Sequence, residues 1–169
     1  TKLGAEMLDI SHKTKTLREA TAIATVKMQL STAQRAAKGD TPKGNPLEVA
    51  KVAAVQAATN TSSIIPYCHP LPVDFVGVEY EVGEDSISVS VTVKAIYKTG
   101  VEMEALTAAS VAALTLYDML KMIDDSLSIS EVRLVSKRGG KSDFCEELKR
   151  PLRAAVLVMS DSVSKGRKS

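Results

Sequence analysis

The amino-acid sequence predicts an α+β fold, a ferredoxin-like sandwich in which two main helices back an antiparallel four-stranded sheet. The predicted elements follow one another as strand, helix, strand, strand, helix, strand. The two adjacent strands alternate apolar and polar residues on either side of a short turn, as the strands of a hairpin do. The segment after them is rich in alanine and leucine and predicts a largely buried helix. These three observations together favour this fold class.

The first strand is predicted over residues 18–28, where two sets of residues alternate. Small apolar residues make up one set, while mostly polar or charged residues, including Arg18 and Lys27, make up the other. A short helix follows in the segment STAQRAAKGD. We expect it to end at Gly39, because glycine readily takes the left-handed conformation that terminates many helices.

The second helix has three agreeing start signals. Asn45 is a good N-cap, Pro46 suits the first helical position, and Glu48 lies three residues after the cap. The helix is predicted to end near residue 60. Its alanines form a small-residue face that could approach a sheet closely: Ala50, Ala53, Ala54, Ala57 and Ala58.

Three prolines within residues 64–72 predict a stiff, extended connection, because each proline also restrains the residue before it. Residues 73–82 and 87–97 then alternate on either side of the turn GEDS, which predicts the hairpin. The long helix is predicted over residues 102–123. The last strand is predicted over residues 131–138 and is closed by two glycines.

Composition narrows the class of protein. With 169 residues, 44% of them hydrophobic, the chain is long enough for one domain with its own core. A net charge of +2 and an aromatic content of 4% without tryptophan argue against a nucleic-acid partner. No apolar run approaches the ~20 residues of a membrane span, and no signal-peptide pattern opens the chain. We therefore expect no membrane partner.

Cysteine and histidine are too few for a disulfide framework or a structural metal site. The two cysteines are Cys68 and Cys145, and the two histidines are His12 and His69. We predict no metal centre and a reducing, cytoplasmic environment.

Charged residues are distributed along the otherwise apolar long helix. At a rise of ~1.5 Å per residue, Glu104 and Asp118 would lie roughly 21 Å apart along the axis, whereas Asp118 and Lys121 are one turn apart. Glu102 and Glu104 face the same way only where the chain is extended. Two interpretations stay open. The charges are unrelated surface groups, with an ordinary ion pair at one end, or a second subunit brings the two ends into one site.

Two loops carry further candidate groups. Tyr67, Cys68 and His69 lie between prolines that would hold them rigidly, which favours a recognition segment, although an ordinary packing loop is the alternative. Lys43 lies just before a helix N-terminus, where backbone N–H groups can receive an anion. Residues 136–144 place lysine and arginine around two glycines and would also suit a phosphate, or would form a plain basic hairpin end.

Three stretches together resemble one family. The segments IPYCHPLP, KTGVEMEALTAASVAALTLYDMLK and GGKSDF are similar to the cyclic pyranopterin monophosphate synthases of molybdenum cofactor biosynthesis, over about residues 6–146. The resemblance implies conversion of (8S)-3',8-cyclo-7,8-dihydroguanosine 5'-triphosphate to cyclic pyranopterin monophosphate with release of diphosphate, by general acid–base catalysis. It also implies a ferredoxin-like fold and a homohexamer, a trimer of dimers with sites at subunit interfaces. No cofactor is implied, and whether Mg²⁺ accompanies the triphosphate is left open.

The resemblance also assigns roles to particular residues. A lysine beside an aspartate in a partly buried site could have its pKa tuned for acid–base work. The implied catalytic residues are Asp118, Lys121 and Lys43, and the implied substrate-binding residues are Tyr67, Cys68, His69, Glu102, Met103, Glu104, Arg18 and Lys141.

Two positions depart from the family pattern. Tyr67 stands where the family usually has leucine, and no glycine separates Ser142 from Asp143, which puts the shape of the Lys141 loop in question. This departure keeps an alternative function open: a catalytically silent homologue that binds a nucleotide or only assembles as an oligomer.

The C-terminal segment has a resemblance of its own. Residues 1–150 are predicted to form the synthase domain. Residues 151–169 are predicted to be a linker and the first strand of a molybdopterin adenylyltransferase-like domain, on the basis of the stretch AAVLVMSDSVSKG.

Overall fold

The computed structural model describes residues 5–140 and 143–145. Within these ranges the chain forms strands and helices that alternate in the order the sequence predicts, with two short additions. In chain order they are β1 (Thr16–Lys27), α1 (Leu30–Lys38), α2 (Pro46–Thr59), α3 (Thr61–Ile64), β2 (Phe75–Val82), β3 (Ser86–Tyr97), α4 (Glu102–Leu120), β4 (Ser128–Arg138) and β5 (Phe144–Cys145).

The strands form one sheet in the order β2-β3-β1-β4-β5, and every neighbouring pair is antiparallel. Strand β1 lies at the centre and pairs along its length with β3 on one side and β4 on the other. The two-residue strand β5 adds only a short edge to the four main strands. This arrangement confirms the predicted α+β, ferredoxin-like fold class.

The core lies between one face of the sheet and helices α2 and α4. On β1 and β3 the inward residues are fully buried and alternate with half-exposed ones, as in a sheet covered on one face. Helix α4 crosses β1, β3 and β4 and packs against α2 on its other side. Small residues dominate these contacts and allow the elements to approach closely: Ala20, Ala22, Ala24, Ala105, Ala108, Ala109 and Ala112 are all fully buried.

The alanine face of α2 packs mainly against α4 and makes smaller contacts with the sheet at β2. Ala50, Ala54, Ala57 and Ala58 are buried there, whereas Ala53 is half-exposed. Alanine suits both kinds of packing, because its short side chain lets a helix approach another helix or a sheet closely.

The predicted end of α1 and start of α2 agree with the local chemistry, whereas α4 ends at Leu120, three residues before its predicted end. The Asn45 side chain accepts hydrogen bonds from the backbone N–H groups of Leu47 and Glu48, at 3.0 and 3.3 Å. Gly39 ends α1 in the left-handed conformation, with φ of 69°. The cap at one end and the glycine at the other fix the short loop between α1 and α2.

Some short elements differ from the prediction. Residues 61–64 form the helical turn α3, and the N–H of Cys68 bonds to the carbonyl of Ile65, so the proline-rich connection begins with a turn before it extends. Strand β4 begins at Ser128, three residues before the predicted start. Residues 151–169 lie outside the described ranges, so the prediction of a second domain stays a prediction.

The prediction that no apolar run approaches the length of a membrane span does not hold for helix α4. Among the described helices it is the one whose length and apolar composition would suffice to cross a membrane. More than half of its residues are buried within the fold. That burial is what a core helix of a folded domain shows.

Candidate active site

Three charged side chains meet at the C-terminal end of α4. The Lys43 Nζ donates to the Oδ2 of Asp118 at 2.6 Å and to the backbone carbonyl of Asp118 at 3.0 Å. The Lys121 Nζ lies 2.7 Å from Oδ1 of the same carboxylate. One carboxylate therefore binds two lysines, one on each oxygen, within a single chain. The predicted association of Asp118, Lys121 and Lys43 is present, and we call this group the lysine–aspartate cluster.

Contacts within the lysine–aspartate cluster favour the charged forms of Asp118 and Lys121. Hydrogen bonds from Lys121 and Lys43 lower the pKa of Asp118 to about 2, and the same contact raises the pKa of Lys121. The expected partly buried setting is not found in the single chain, where the side chains of Asp118 and Lys121 are each 54% exposed. Lys121 is thus a cation that can donate a proton, not an amine poised to accept one.

The loop between α1 and α2 delivers Lys43 to the cluster. The Thr41 hydroxyl donates to the carbonyl of Gly44 at 2.5 Å, and the Gly44 N–H bonds back to the carbonyl of Thr41. Gly44 has φ of 93°, a conformation that favours glycine, so the turn can close next to the Asn45 cap. A tight turn between two capped helices therefore places the lysine beside α4.

The opposite end of α4 buries a carboxyl group. Glu104 is 2% exposed, and its Oε1 accepts a hydrogen bond from the Cys68 thiol at 3.4 Å, while its Oε2 has no partner among the described residues. Burial raises the pKa of Glu104. Burial and the neighbouring Glu104 raise the pKa of Cys68 to about 11, so the thiol is the proton donor of the pair. This contact ties the proline-rich loop to α4.

Glu102 and Glu104 do not face the same way, because the helix already begins at Glu102. Glu102 points toward β4, where its Oε1 lies 3.2 Å from the Nζ of Lys137. Glu104, in contrast, is buried, so the two side chains have different surroundings. The two acidic residues have separate partners and separate roles.

A basic cleft of about 190 Å³ lies beside Glu102. Arg18 is anchored at its rim, since its guanidinium donates to the carbonyls of Tyr97 and Gly139. A side chain at Gly139 would collide with the carbonyl of Leu17, so only glycine lets β4 end against β1 in this way. Cations outnumber carboxylates in its lining, which consists of Lys13, Arg18, Glu19, Gly100, Glu102, Lys137, Arg138, Gly139 and Gly140.

His69 lines a neighbouring cleft of about 450 Å³ with the N-terminal segment and Lys98. Lys98 also lines a third cleft, which contains His12, Lys13 and Arg18, so the clefts adjoin one another. Of the remaining predicted binding residues, Tyr67 and Met103 are exposed. The predicted role of Lys141 falls outside the described residues.

The structure thus brings the predicted residues together in two groups at opposite ends of α4. Lys137 and Lys13 also line the basic cleft, and the predicted binding set omits both. Lys137 was noted in the sequence as phosphate-friendly, yet its pairing with Glu102 joins residues 35 apart and has no local signal. Among the described residues no three histidine, cysteine, aspartate or glutamate side chains lie together as metal ligands would.

The fold and these two groups define a class: a ferredoxin-like domain with a basic cleft suited to a polyanion and with two lysines held on one aspartate. A sequence model of the MoaC family matches residues 7–140 of this chain, and the chain belongs to that family.

Curated relatives carry concordant names. A molybdenum cofactor biosynthesis bifunctional protein of Chlorobaculum tepidum is 47% identical over 160 residues, which cover 95% of this chain and 50% of the relative. A cyclic pyranopterin monophosphate synthase of Aquifex aeolicus is 45% identical, with 83% of this chain and 56% of the relative covered. A synthase of that name from Roseiflexus sp. is 48% identical, covering 85% and 92%. The chain therefore spans about half the length of the first two relatives and most of the third.

Proposed function

We propose that this chain converts (8S)-3',8-cyclo-7,8-dihydroguanosine 5'-triphosphate to cyclic pyranopterin monophosphate and releases diphosphate, as a step of molybdenum cofactor biosynthesis in the cytoplasm. The observation that supports it most is the lysine–aspartate cluster, in which Lys43 and Lys121 are held on one carboxylate of Asp118. Membership of the MoaC family indicates which reaction to propose. Ring opening, imine formation and cyclic phosphate closure require proton transfers, and the cluster contains groups suited to them.

The contact with Asp118 raises the pKa of Lys121, so this lysine starts as an ammonium group, acts first as a general acid and takes a proton back in a later step. Lys43 is proposed to share in these proton transfers from the other oxygen of the carboxylate. Asp118 stays ionised at every pH above about 3, because its pKa is lowered to about 2. Its role is to orient both lysines and balance their charge.

The basic cleft is proposed to hold the triphosphate and the departing diphosphate. Arg18 can bind phosphate oxygens with the guanidinium edge left by its backbone contacts, and Lys137 and Lys13 add point charges. Glu102 pairs with Lys137 and so keeps that lysine in place before the ligand arrives. His69, Tyr67, Met103 and Glu104 would form or support the adjoining wall.

A site of this kind requires two copies of the chain. The lysine–aspartate cluster and the basic cleft belong to opposite ends of α4, which are roughly 21 Å apart along the helix axis between Glu104 and Asp118. A small ligand cannot touch both in one chain. We therefore propose that the cleft of one subunit faces the cluster of another in the homohexamer.

Subunit complementation tests the proposal. Lys121→Ala removes one proton donor of the cluster and Arg18→Ala removes one cation of the cleft, so each variant alone should be inactive. Refolded or co-expressed together, they should regain activity at about a quarter of the interface sites, because random pairing places both intact halves at one site that often. Failure of the mixture to regain activity, with both variants folded and assembled, would refute a shared site.

A separate measurement tests the reaction itself. The wild-type chain is supplied with the cyclised dihydroguanosine triphosphate, and diphosphate and pterin product are measured. No turnover would favour a catalytically silent homologue. The proposal includes no resident cofactor, so a chelator should leave turnover unchanged unless Mg²⁺ accompanies the triphosphate.

A further inference from the structure

A second buried carboxylate, outside the groups described so far, lies just beyond the end of α4. Asp124 is 4% exposed, and both of its oxygens accept hydrogen bonds. Its Oδ2 accepts the backbone N–H of Gln29 at 2.8 Å. Its Oδ1 accepts the backbone N–H and the hydroxyl of Ser126, at 2.9 and 2.6 Å, and is 3.4 Å from the Nε2 of Gln29. A buried carboxylate with this many donors is a fixed point of the structure.

Asp124 occupies the N-terminus of α1. Gln29 is the N-cap residue of that helix, and its own side chain makes no capping bond. The Asp124 carboxylate accepts the Gln29 N–H and also receives a hydrogen bond from Thr32 in the first turn. A residue 95 positions away in sequence therefore supplies the negative charge that favours the N-terminus of this helix.

Helix α1 leads directly to Lys43. At its other end, Arg35 donates to the carbonyl of Asp40 at 3.1 Å, and the Asp40 N–H bonds to the carbonyl of Arg35. The Gly39 backbone lies against the Asn45 side chain, where an added Cβ would come within 3.2 Å. The Lys43 loop is thus fixed to α1 on one side and to the cap of α2 on the other.

These contacts close a ring around the lysine–aspartate cluster. Along the chain, Asp118 and Lys121 lead into Asp124 within six residues. Through space, Asp124 holds the start of α1, α1 carries the Lys43 loop, and Lys43 returns to Asp118. The side chains of Asp118 and Lys121 are each 54% exposed, whereas Asp124 is buried. The buried carboxylate is therefore the more firmly held member of the ring.

We propose that Asp124 is a positioning residue that fixes Lys43 and Lys121 on Asp118 by clamping the segment after α4 to the start of α1. Its relevance to turnover rests on the proposed function, whereas its effect on the geometry of the cluster does not. The competing explanation is purely structural. Thr32, Ala33 and Ala36 bury α1 in the core, and if that burial alone sets its position, losing Asp124 would lower stability and leave the cluster unchanged.

The ionisation of Asp118 distinguishes these explanations without any substrate. Asp124→Asn keeps the shape of the side chain but removes the charge that its donors surround, and ¹³C-carboxyl NMR follows Asp118 from pH 3 to 6 in the folded full chain. If the lysines lose their positions, the pKa of Asp118 rises from about 2 towards its ordinary value near 3.9. An unchanged Asp118 titration in folded Asp124→Asn would overturn the proposal.

Matched variants make the result specific. Asp125→Asn removes the same charge from the exposed neighbouring residue and should leave the Asp118 titration as in the wild type. Ser126→Ala removes one hydrogen bond to Asp124 and should raise the pKa of Asp118 by a smaller amount than Asp124→Asn does. Should Asp124→Asn fail to fold, Ser126→Ala decides: no shift there refutes the clamp.

A double-mutant cycle extends the test to turnover. If Asp124 acts through Lys43, then Asp124→Asn should lower kcat by about tenfold in the wild-type background but have little further effect in Lys43→Met. Equal effects in both backgrounds would overturn an action through Lys43. Absence of turnover in the wild type would instead count against the proposed function, and the Asp118 titration would still decide the clamp.

Discussion

Each end of α4 carries a carboxyl group, and the surroundings of the two groups shift their pKa values in opposite directions. At the C-terminal end Asp118 is exposed, binds two lysines and has its pKa lowered to about 2. At the N-terminal end Glu104 is buried against a thiol, and its pKa is raised. Within the part of the chain that the structure describes, one of its oxygens lacks a partner. Desolvation dominates at one end and ion pairing at the other.

The difference shows why two acidic residues on one helix should not be assigned one role. Asp118 is charged and exposed, so it can orient cations while contributing little to the free energy of folding. Glu104 is buried and has no cationic partner among the described residues, and it holds the loop in which Tyr67 and His69 flank Cys68. Each prediction below tests this division of roles.

The largest expected effect is on turnover at the exposed end. Lys121→Met should lower kcat by about 10²- to 10⁴-fold, the range that general acid–base catalysis contributes, because it removes a proton donor held on Asp118. Thermal unfolding and oligomeric state should stay as in the wild type. Lys51→Met, on the exposed face of α2, serves as the control. Near-normal turnover of Lys121→Met would remove that lysine from the mechanism.

The second effect is on stability at the buried end. Cys68→Ala should lower the free energy of unfolding by about 1–3 kcal/mol, because it leaves the buried Glu104 without its hydrogen-bond donor. Urea denaturation measures the loss. Cys68→Ser, which restores a donor, should recover part of it. If serine and alanine destabilise the protein equally, the thiol–carboxyl bond contributes nothing and the loop is held by other contacts.

The sequence predicts those parts of the molecule whose signals are local. Strict alternation predicts the two strands of the hairpin, which the structure pairs with Val78 opposite Val91. Three residues within four positions predict the start of α2. Spacing along a helix likewise places Asp118 and Lys121 one turn apart. In each case a few neighbouring residues determine the outcome.

Contacts between distant segments are not predictable in the same way. Lys137 reaches Glu102 and Asp124 reaches Gln29 only because the fold brings their elements together. The opposed directions of Glu102 and Glu104 depend on the residue at which the helix begins, and boundaries are the least certain part of a sequence pattern. Helix α3 and strand β5 are too short to show a period at all.

A smaller effect is expected where the Lys43 loop is fixed. Asn45→Ala removes the cap of α2 and should cost about 1 kcal/mol of stability. The same change loosens the turn before the cap, so kcat should fall several-fold while KM changes less. Asn45→Asp, which keeps a capping oxygen, should retain both properties. Loss of stability with unchanged kcat would mean that the cap does not help to place Lys43.

The smallest effect is a change in pH dependence, and it separates the two carboxyl groups most directly. Because the pKa of Glu104 is raised in the folded state, its contribution to stability is full below its unfolded pKa near 4.3 and is lost as the pH rises through the folded pKa. Glu104→Gln cannot ionise, so its stability relative to the wild type should increase with pH over that window and then level off.

Urea denaturation of both proteins at steps from pH 4 to 9 measures this difference. Groups with lowered pKa values, such as Asp118 and Asp124, lose their contributions only as the pH falls towards about 2. They are present in both proteins and cancel in the comparison. A difference that is constant with pH would mean that Glu104 ionises normally. The buried end of α4 would then need a cation to pair with it, as the exposed end has.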